Sequence, residues 1–527
     1  MLIVSPLHSV TTPTVGVGYL ASSLKAEGIP CPILDLNIRL KEHLESNAVS
    51  RSWLEWIFPF GERTFGGEIL LSQACFDRPL GEVLDRVQSA ANSSFRDFFR
   101  ILSPEHRLES QEAARIRSLI RSFLESAVEE IARVVGDWLG FSVVVTNQLS
   151  VIFMLRRIKQ LRSDLRIVLG GPHFNRDNAL SWAQAFPEID SVIVGEARSA
   201  LASWVRRDTR ECQYQIVRSS LAGQPIIVAP KQTERWLAAD WSDVDWRRYL
   251  NVTEDLETAN PTDGGAVPIM GARGCSYNKC TFCYEVLLAP RYQPRDIEQV
   301  VDEICQQRTL TRRNDFFLTD LDLNGDYGRT LDLMRMIRTR AAGIRFHCWL
   351  RAHELDKEML TSLYEAGARS WFVGIEALTD NLLSLLRKGY NGEHAQKTVA
   401  LMAQFAEGKD DLRYGFNLIP NYPGETLDDV LESFNVIRKS RQFYFGRTGA
   451  LYEFALTVNS IAWLNREKMG LRNLLGWNSI IMPEDLCAHL PSHLYWYERD
   501  DESEGKRRLI WDHIRILIGH EPRYVRV

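Results

Sequence analysis

At 527 residues, with 45% hydrophobic and 25% charged side chains, the chain has an ordinary soluble composition and room for more than one core. Its formal charge of −5 argues against the basic footprint of a nucleic-acid binder. No run approaches the roughly 18 apolar residues of a spanning helix, and the opening MLIVSPLHSV turns polar too soon for a secretory leader. Neither nucleic acid nor a membrane is expected as a partner, and a cytoplasmic location is.

The first 40 residues read as strand (Leu2 to Val4), helix (Gly18 to Lys25) and strand (Ile33 to Leu36). From about residue 42 to 137 the text turns helical, as in ARIRSLIRSFLESAVEEIARVV, with apolar residues three and four apart. Alternation then resumes: FSVVVT (141–146), RIVLGG (166–171) and SVIVGE (191–196) read as strands with helices between. Short apolar strands alternating with helices predict a doubly wound, Rossmann-like α/β domain over 1–205, carrying a helical insert at about 42–137. Residues 206–260, with Trp236, Trp241 and Trp246, read as a connecting segment packed against both neighbours.

A second series follows over 261–450. Its strands are VPIMGA (267–272), DFFLTD (315–320), RFHCWLR (345–351), SWFVGIE (370–376) and RYGFNLI (413–419), again with helices between. This predicts a full or partial (β/α) barrel with its active site at the C-terminal strand ends. Residues 451–527, rich in Trp and Tyr, read as a less regular C-terminal region.

Of the nine cysteines, Cys31, Cys75, Cys212, Cys305, Cys348 and Cys487 are scattered and read as small buried hydrophobes. Cys275, Cys280 and Cys283 share one loop after the first barrel strand. Zinc normally takes four ligands, usually as two pairs, and no second CxxC lies nearby. Three loop thiolates suit an iron–sulfur cubane with one iron left open.

At these residues the sequence resembles the radical S-adenosylmethionine (SAM) superfamily, through GCSYNKCTFC, with four residues and then two between the cysteines where three and two is the commonest family spacing. The resemblance continues over about 265–430: GIE at 374–376, LLRKGYN at 385–391 and IPNYPGET at 419–426. It implies that Cys275, Cys280 and Cys283 bind a 4Fe–4S cluster whose fourth iron chelates SAM. It also implies SAM contacts from Phe282, Arg351, Glu376 and Asn417. Asp320 and Asp322 read as solvated carboxylates or as groups facing substrate.

In the N-terminal domain, Gly170-Gly171-Pro172 and Gly195-Glu196 end successive strands, with Ser142 and Thr146 read on the strand before. By themselves these are ordinary tight turns. Their order, with the opening GVGYLASSLKAEG, resembles the cobalamin-binding domains fused ahead of many radical SAM enzymes. That likeness implies cobalamin held by Ser142, Thr146, Gly170, Gly171, Pro172, Gly195 and Glu196. The DxHxxG motif that supplies an axial His elsewhere is missing; His8 lies in the right loop without the Asp.

Together the two resemblances imply a methyltransferase that carries methyl through methylcobalamin to an unactivated carbon of a peptide or small natural-product precursor. An external electron donor such as flavodoxin or ferredoxin is implied as a partner. A non-methylating cyclisation or rearrangement, and a non-catalytic cobalamin or redox sensor, stay open as other readings.

Overall fold

The computed structural model describes residues 1–58, 65–89, 108–207, 215–218, 225–228, 236–249, 265–289, 291–439, 449–451 and 454–499. Among them no helix is long and apolar enough to cross a membrane.

The first sheet contains β1 (Leu2–Val4), β2 (Ile33–Asp35), β3 (Trp138–Ser142), β4 (Arg166–Gly170), β5 (Ser191–Val194), β6 (Gln215–Arg218) and β7 (Pro225–Val228). Its order is β2-β1-β3-β4-β5-β7-β6, all parallel except the β6/β7 hairpin at the edge. Two cores, one on each face, cover it. The order β2-β1-β3-β4-β5 is doubly wound, and such sheets bind ligands outside the strand carboxyl ends where the winding reverses, here between β1 and β3.

Two readings shift. The strand expected over 141–146 is β3, three residues earlier; Val145–Asn147 is a 3₁₀ turn, so Thr146 lies beyond the strand and its hydroxyl donates to Leu7 O at 2.9 Å. The segment expected only as a connector supplies β6 and β7.

Among the described residues between β2 and β3 the regular structure is helical, and the longest described helix is Gln111–Ala132. Ser110 caps it by accepting from Ala113 N, a contact worth about 1 kcal/mol. Ala113, Ile116, Ile120, Leu124, Ala127 and Ile131 recur three and four apart and are buried on one stripe, while Arg121 and Glu125 pair on the other side.

The second sheet is six parallel strands in chain order: β8 (Val267–Ile269), β11 (Asp315–Leu318), β12 (Arg345–Arg351), β13 (Ala368–Glu376), β14 (Arg413–Leu418) and β15 (Gly449–Leu451). It is open, with β8 and β15 as edges, and is therefore a partial barrel. Phe346, Cys348 and Leu350 on β12, with Trp371, Val373 and Ile375 on β13, bury one face of each strand. A small hairpin joins β9 (Ala272–Arg273) to β10 (Gln293–Pro294), and β16 (Leu456–Thr457), β17 (Leu471–Gly476) and β18 (Leu494–Arg499) form an antiparallel sheet.

Residues 236–249 tie the two halves together. Trp241 fills the space that a side chain on Gly18 would need, Gln307 donates to Ala239 O, and Tyr249 donates to Asp35 at 2.6 Å. The Tyr19 hydroxyl donates to Glu303 at 3.2 Å and accepts from Met270 N beside the end of β8. The C-terminal sheet's neighbour, helix Trp477–Ile481, is gripped by the insert: Arg78 donates to Ile480 O and Met482 O.

Candidate functional site

Beyond β8 the chain makes a tight loop bearing the three cysteines. Gly274 sits at φ +72, where an added Cβ would meet Arg291 O at 2.5 Å, and Asn278 takes φ +50 in mid-loop. All three cysteines are free thiols and partly exposed. Asp322 holds the loop's start: its Oδ2 accepts from Ser276 Oγ at 2.6 Å, from Ser276 N at 3.0 Å and from Cys275 Sγ at 3.3 Å. Asp320 accepts from Gly271 N at 2.6 Å. Both aspartates are buried (2% and 1% exposed), which corrects the reading of solvated loop carboxylates and places both in support of the loop.

Burial pushes the Cys283 thiol up to about 12, with the Cys280 sulfur adding to the effect and Cys275 contributing less. Burial, then the Asp322 charge, pushes Cys275 up to about 11. The sulfurs therefore feel one another across the loop. Among the described residues no three Cys, His, Asp or Glu side chains close around a single ion.

The C-terminal strand ends converge on this loop. Arg351 ends β12, Glu376 ends β13, and Asn417 lies one residue from the end of β14. Glu376, at φ +70 and 6% exposed, accepts from the Asn417 amide through Oε2. Its other oxygen lies 3.6 Å from Lys388 Nζ. Burial raises the Glu376 pKa, while Lys388 and the Asn417 amide oppose the shift. Burial lowers the Lys388 pKa, but Tyr390, Glu376 and Cys280 together more than offset it, so the net shift is upward and the ammonium stays charged. Lys388 also faces the rings of Phe282 and Tyr390, and Arg351 stacks 3.9 Å from the centre of the Tyr277 ring.

The structure thus gathers Phe282, Arg351 and Glu376, with Asn417 bound to Glu376, around Lys388. Lys388 belongs to the same constellation and was not singled out from sequence, although it stands inside the LLRKGYN segment. That segment also braces the cysteine loop: Tyr277 donates to Arg387 O at 2.7 Å and Thr281 N to Leu386 O at 3.1 Å.

Among the described residues, the buried Arg351 Nε, a donor, and the buried Asn417 Oδ1, an acceptor, have no hydrogen-bond partner. A buried unmet group costs about 1–3 kcal/mol, so both favour a ligand that supplies the missing partners.

In the first sheet, Gly170-Gly171-Pro172 follows β4 and Gly195-Glu196 follows β5, both at the carboxyl edge. Gly171 (φ +115) passes so close to Val143 that a Cβ would stand 2.5 Å from its carbonyl oxygen. Ser142 ends β3 and its carbonyl accepts from Asn147. Ser5, buried just beyond β1, keeps a hydroxyl without a hydrogen-bond partner at the point where the winding reverses. The glycine at 171 thus lets the Val143 turn pack against the end of β4, and the unmet Ser5 hydroxyl beside it fits a ligand laid on this edge.

Two observations modify the expected roles. Glu196 forms an ion pair with Arg273 of β9, linking the β5 turn to the root of the cysteine loop. His8 accepts from Ser9 N through Nδ1 at 2.8 Å and contacts the Thr14 hydroxyl through Nε2 at 3.4 Å, and burial lowers its pKa to about 4. It is a neutral, engaged loop histidine. Of the scattered cysteines, Cys31, Cys75 and Cys348 are buried, Cys305 and Cys487 are half-buried, and Cys212 lies outside the described residues.

Comparison with known proteins agrees with this geometry. Residues 269–437 match the radical SAM superfamily model and residues 113–205 the B12 binding domain model. An uncharacterized methyltransferase of Pyrococcus horikoshii is 21% identical over 342 residues, covering 63% of this chain and 72% of that protein. The fold is shared with the radical SAM methyltransferase TsrM from Kitasatospora setae, solved with cobalamin and a 4Fe–4S cluster bound (TM-score 0.57, 15% identity, 98% of this chain and 91% of that one). It is shared also with OxsB, a cobalamin-dependent SAM radical enzyme solved with aqua-cobalamin (TM-score 0.60, 14% identity, 98% of this chain and 66% of that one). The B12 match begins inside the long helix of the insert, and β1 and β2 complete its sheet from the other side of that insert. The chain thus carries a B12-binding domain, matched over 113–205, ahead of a radical SAM domain, matched over 269–437.

Proposed function

We propose that the protein is a cobalamin-dependent radical SAM methyltransferase that places a methyl group on an unactivated carbon of a peptide or small natural-product precursor. In this reading residues 1–205 hold cobalamin, 206–260 connect while adding β6 and β7 to the first sheet, 261–450 hold the cluster and SAM, and 451–527 complete the molecule. The observation that carries it is the pair of unmet buried groups, Arg351 Nε and Asn417 Oδ1, flanking Glu376 beside Cys280. A guanidinium donor, a carboxylate and an amide acceptor are what a carboxylate, ribose hydroxyls and an ammonium require of their surroundings.

When bound, the cluster and SAM supply one-electron cleavage of a carbon–sulfur bond, and cobalamin supplies a methyl carrier. The chain's own part is positional. Arg351 offers its remaining N–H to the SAM carboxylate, and Glu376, oriented by Asn417 and neutralised by Lys388, accepts from the ribose hydroxyls. Phe282 and Tyr277 shield the loop from water, which strengthens every polar contact within. On the facing edge, Gly170, Gly171, Pro172 and Gly195 give the corrin close access to the backbone, with Ser142 and Thr146 beside it. The Glu196–Arg273 pair fixes the two edges against each other.

The test is product analysis of anaerobically reconstituted protein given hydroxocobalamin, SAM and a low-potential reductant. Deoxyadenosine and S-adenosylhomocysteine, both formed with cobalamin retained, are expected. Deoxyadenosine alone would sink the methyl-transfer reading and favour a rearrangement; neither product would favour a sensor.

A further inference from the structure

The cysteine loop has a second side. Thr281, the residue after Cys280, lines a cavity of about 470 Å³ between the LLRKGYN segment, the turn at Tyr422-Pro423-Gly424 and the helix Ile461–Leu464. Its position is tightly set. The Thr281 hydroxyl contacts Leu385 O at 3.0 Å and Tyr422 OH at 2.7 Å, and its carbonyl accepts from Ala462 N at 2.8 Å. One peptide unit therefore separates a cluster ligand from the cavity wall. The consecutive residues Arg387 and Lys388 divide between the two sides: Arg387 lines the cavity, while Lys388 is buried beside Glu376. None of Phe282, Arg351, Glu376 and Asn417 lines it.

The cavity's charge has one sign. Arg387 and Lys468, both exposed, line it, and no lining residue is acidic. Among the described residues neither cation is taken up in an ion pair. Lys279, exposed on the cysteine loop itself, adds a third positive charge nearby. Met469 and Leu385 give the cavity an apolar floor.

Resting on the radical SAM reading, we propose that this face docks an acidic one-electron donor protein carrying a reduced flavin or iron–sulfur centre. Charge complementarity selects the partner, because opposed patches steer encounter and suppress like-charged competitors. The cavity is too small for a domain and takes a loop tip or a few side chains, which suits the small, short-lived interfaces of redox partners. In the step itself one electron leaves the donor's centre, which is oxidised by one unit. It enters the cluster held by Cys275, Cys280 and Cys283, which is reduced by one unit. No bond forms or breaks in this chain, and no proton moves.

The experiment measures binding of an acidic flavodoxin to the cluster-loaded full chain by calorimetry at low and high salt, for the parent and for Arg387→Glu/Lys468→Glu. The double reversal is expected to weaken Kd by about tenfold or more at low salt, with the gap closing as salt rises. Cluster reduction by the flavodoxin, followed by bleaching, should slow in parallel, while reduction by dithionite keeps its rate. Equal affinity of the two proteins, or affinity indifferent to salt, overturns the docking surface. A parent protein whose thiols hold no dithionite-reducible cluster overturns the radical SAM reading, and the docking with it.

Discussion

Lys388 Nζ and Glu376 Oε1 lie 3.6 Å apart, with the lysine side chain 4% and the glutamate side chain 8% exposed. Burying two charges is costly, and their mutual attraction offsets the cost only while both remain. Lys388→Met is therefore expected to destabilise the protein by about 3 kcal/mol at pH 7, because it strands a buried carboxylate. Lys388→Met/Glu376→Gln should recover most of that stability in urea unfolding. SAM affinity, read by equilibrium dialysis, should stay lost in both. A single variant as stable as the parent would show that the pair is not coupled.

Asp322 stands behind the cysteine loop through Ser276 N, Ser276 Oγ and Cys275. Outer partners of this type commonly govern metal affinity tenfold or more. Asp322→Ala should lower the iron retained after gel filtration by about that factor, leaving thermal unfolding of the iron-free protein little changed. Full iron retention would mean that the loop holds its shape without the carboxylate.

Gly171 is the tightest backbone position on the B12 edge. A side chain there faces both a φ of +115 and the Val143 carbonyl oxygen at 2.5 Å. Gly171→Ala is expected to cost about 1–3 kcal/mol and to abolish cobalamin retention, measured by absorbance after desalting. Cobalamin bound as well as by the parent would move the corrin away from this turn.

Burial raises the Asp320 pKa to about 6 from an ordinary 3.8. The carboxyl is favoured neutral in the folded state, so its contribution is full below about pH 4 and lost as pH rises through 6. At pH 7 the buried charge costs on the order of 3 kcal/mol. The stability difference between Asp320→Asn and the parent, from urea unfolding, should shift in favour of the variant between pH 4 and 6 and level off above. A difference that does not vary with pH would contradict this.

The parallel series was legible because its strands are short, apolar and separated by amphipathic helices; β12 coincides with the run RFHCWLR. The end of β3 was not. Val143, Val144 and Val145 are as apolar as a strand, yet they form the turn that packs on Gly171, and hydrophobicity cannot distinguish a buried turn from a strand. β6 and β7 were missed because each is four residues long and takes its place through pairing with a distant sheet. Motif order singled out Cys275, Cys280, Cys283 and Glu376 as candidates. The roles of Lys388, Asp320 and Asp322 depend on which strand ends meet, a tertiary fact that local spacing does not encode. The Glu196–Arg273 pair joins residues far apart in sequence and is visible only once both sheets are in place.

The central claim is a cluster on Cys275, Cys280 and Cys283 with an iron open to SAM among Arg351, Glu376 and Asn417. The most direct measurement is the electron paramagnetic resonance spectrum of the reduced, anaerobically reconstituted protein before and after SAM is added. A signal from a reduced 4Fe–4S cluster that changes shape with SAM, in the parent but not in Glu376→Ala, is the predicted result. A cluster signal indifferent to SAM, or tightly bound zinc and no cluster signal, would contradict the account.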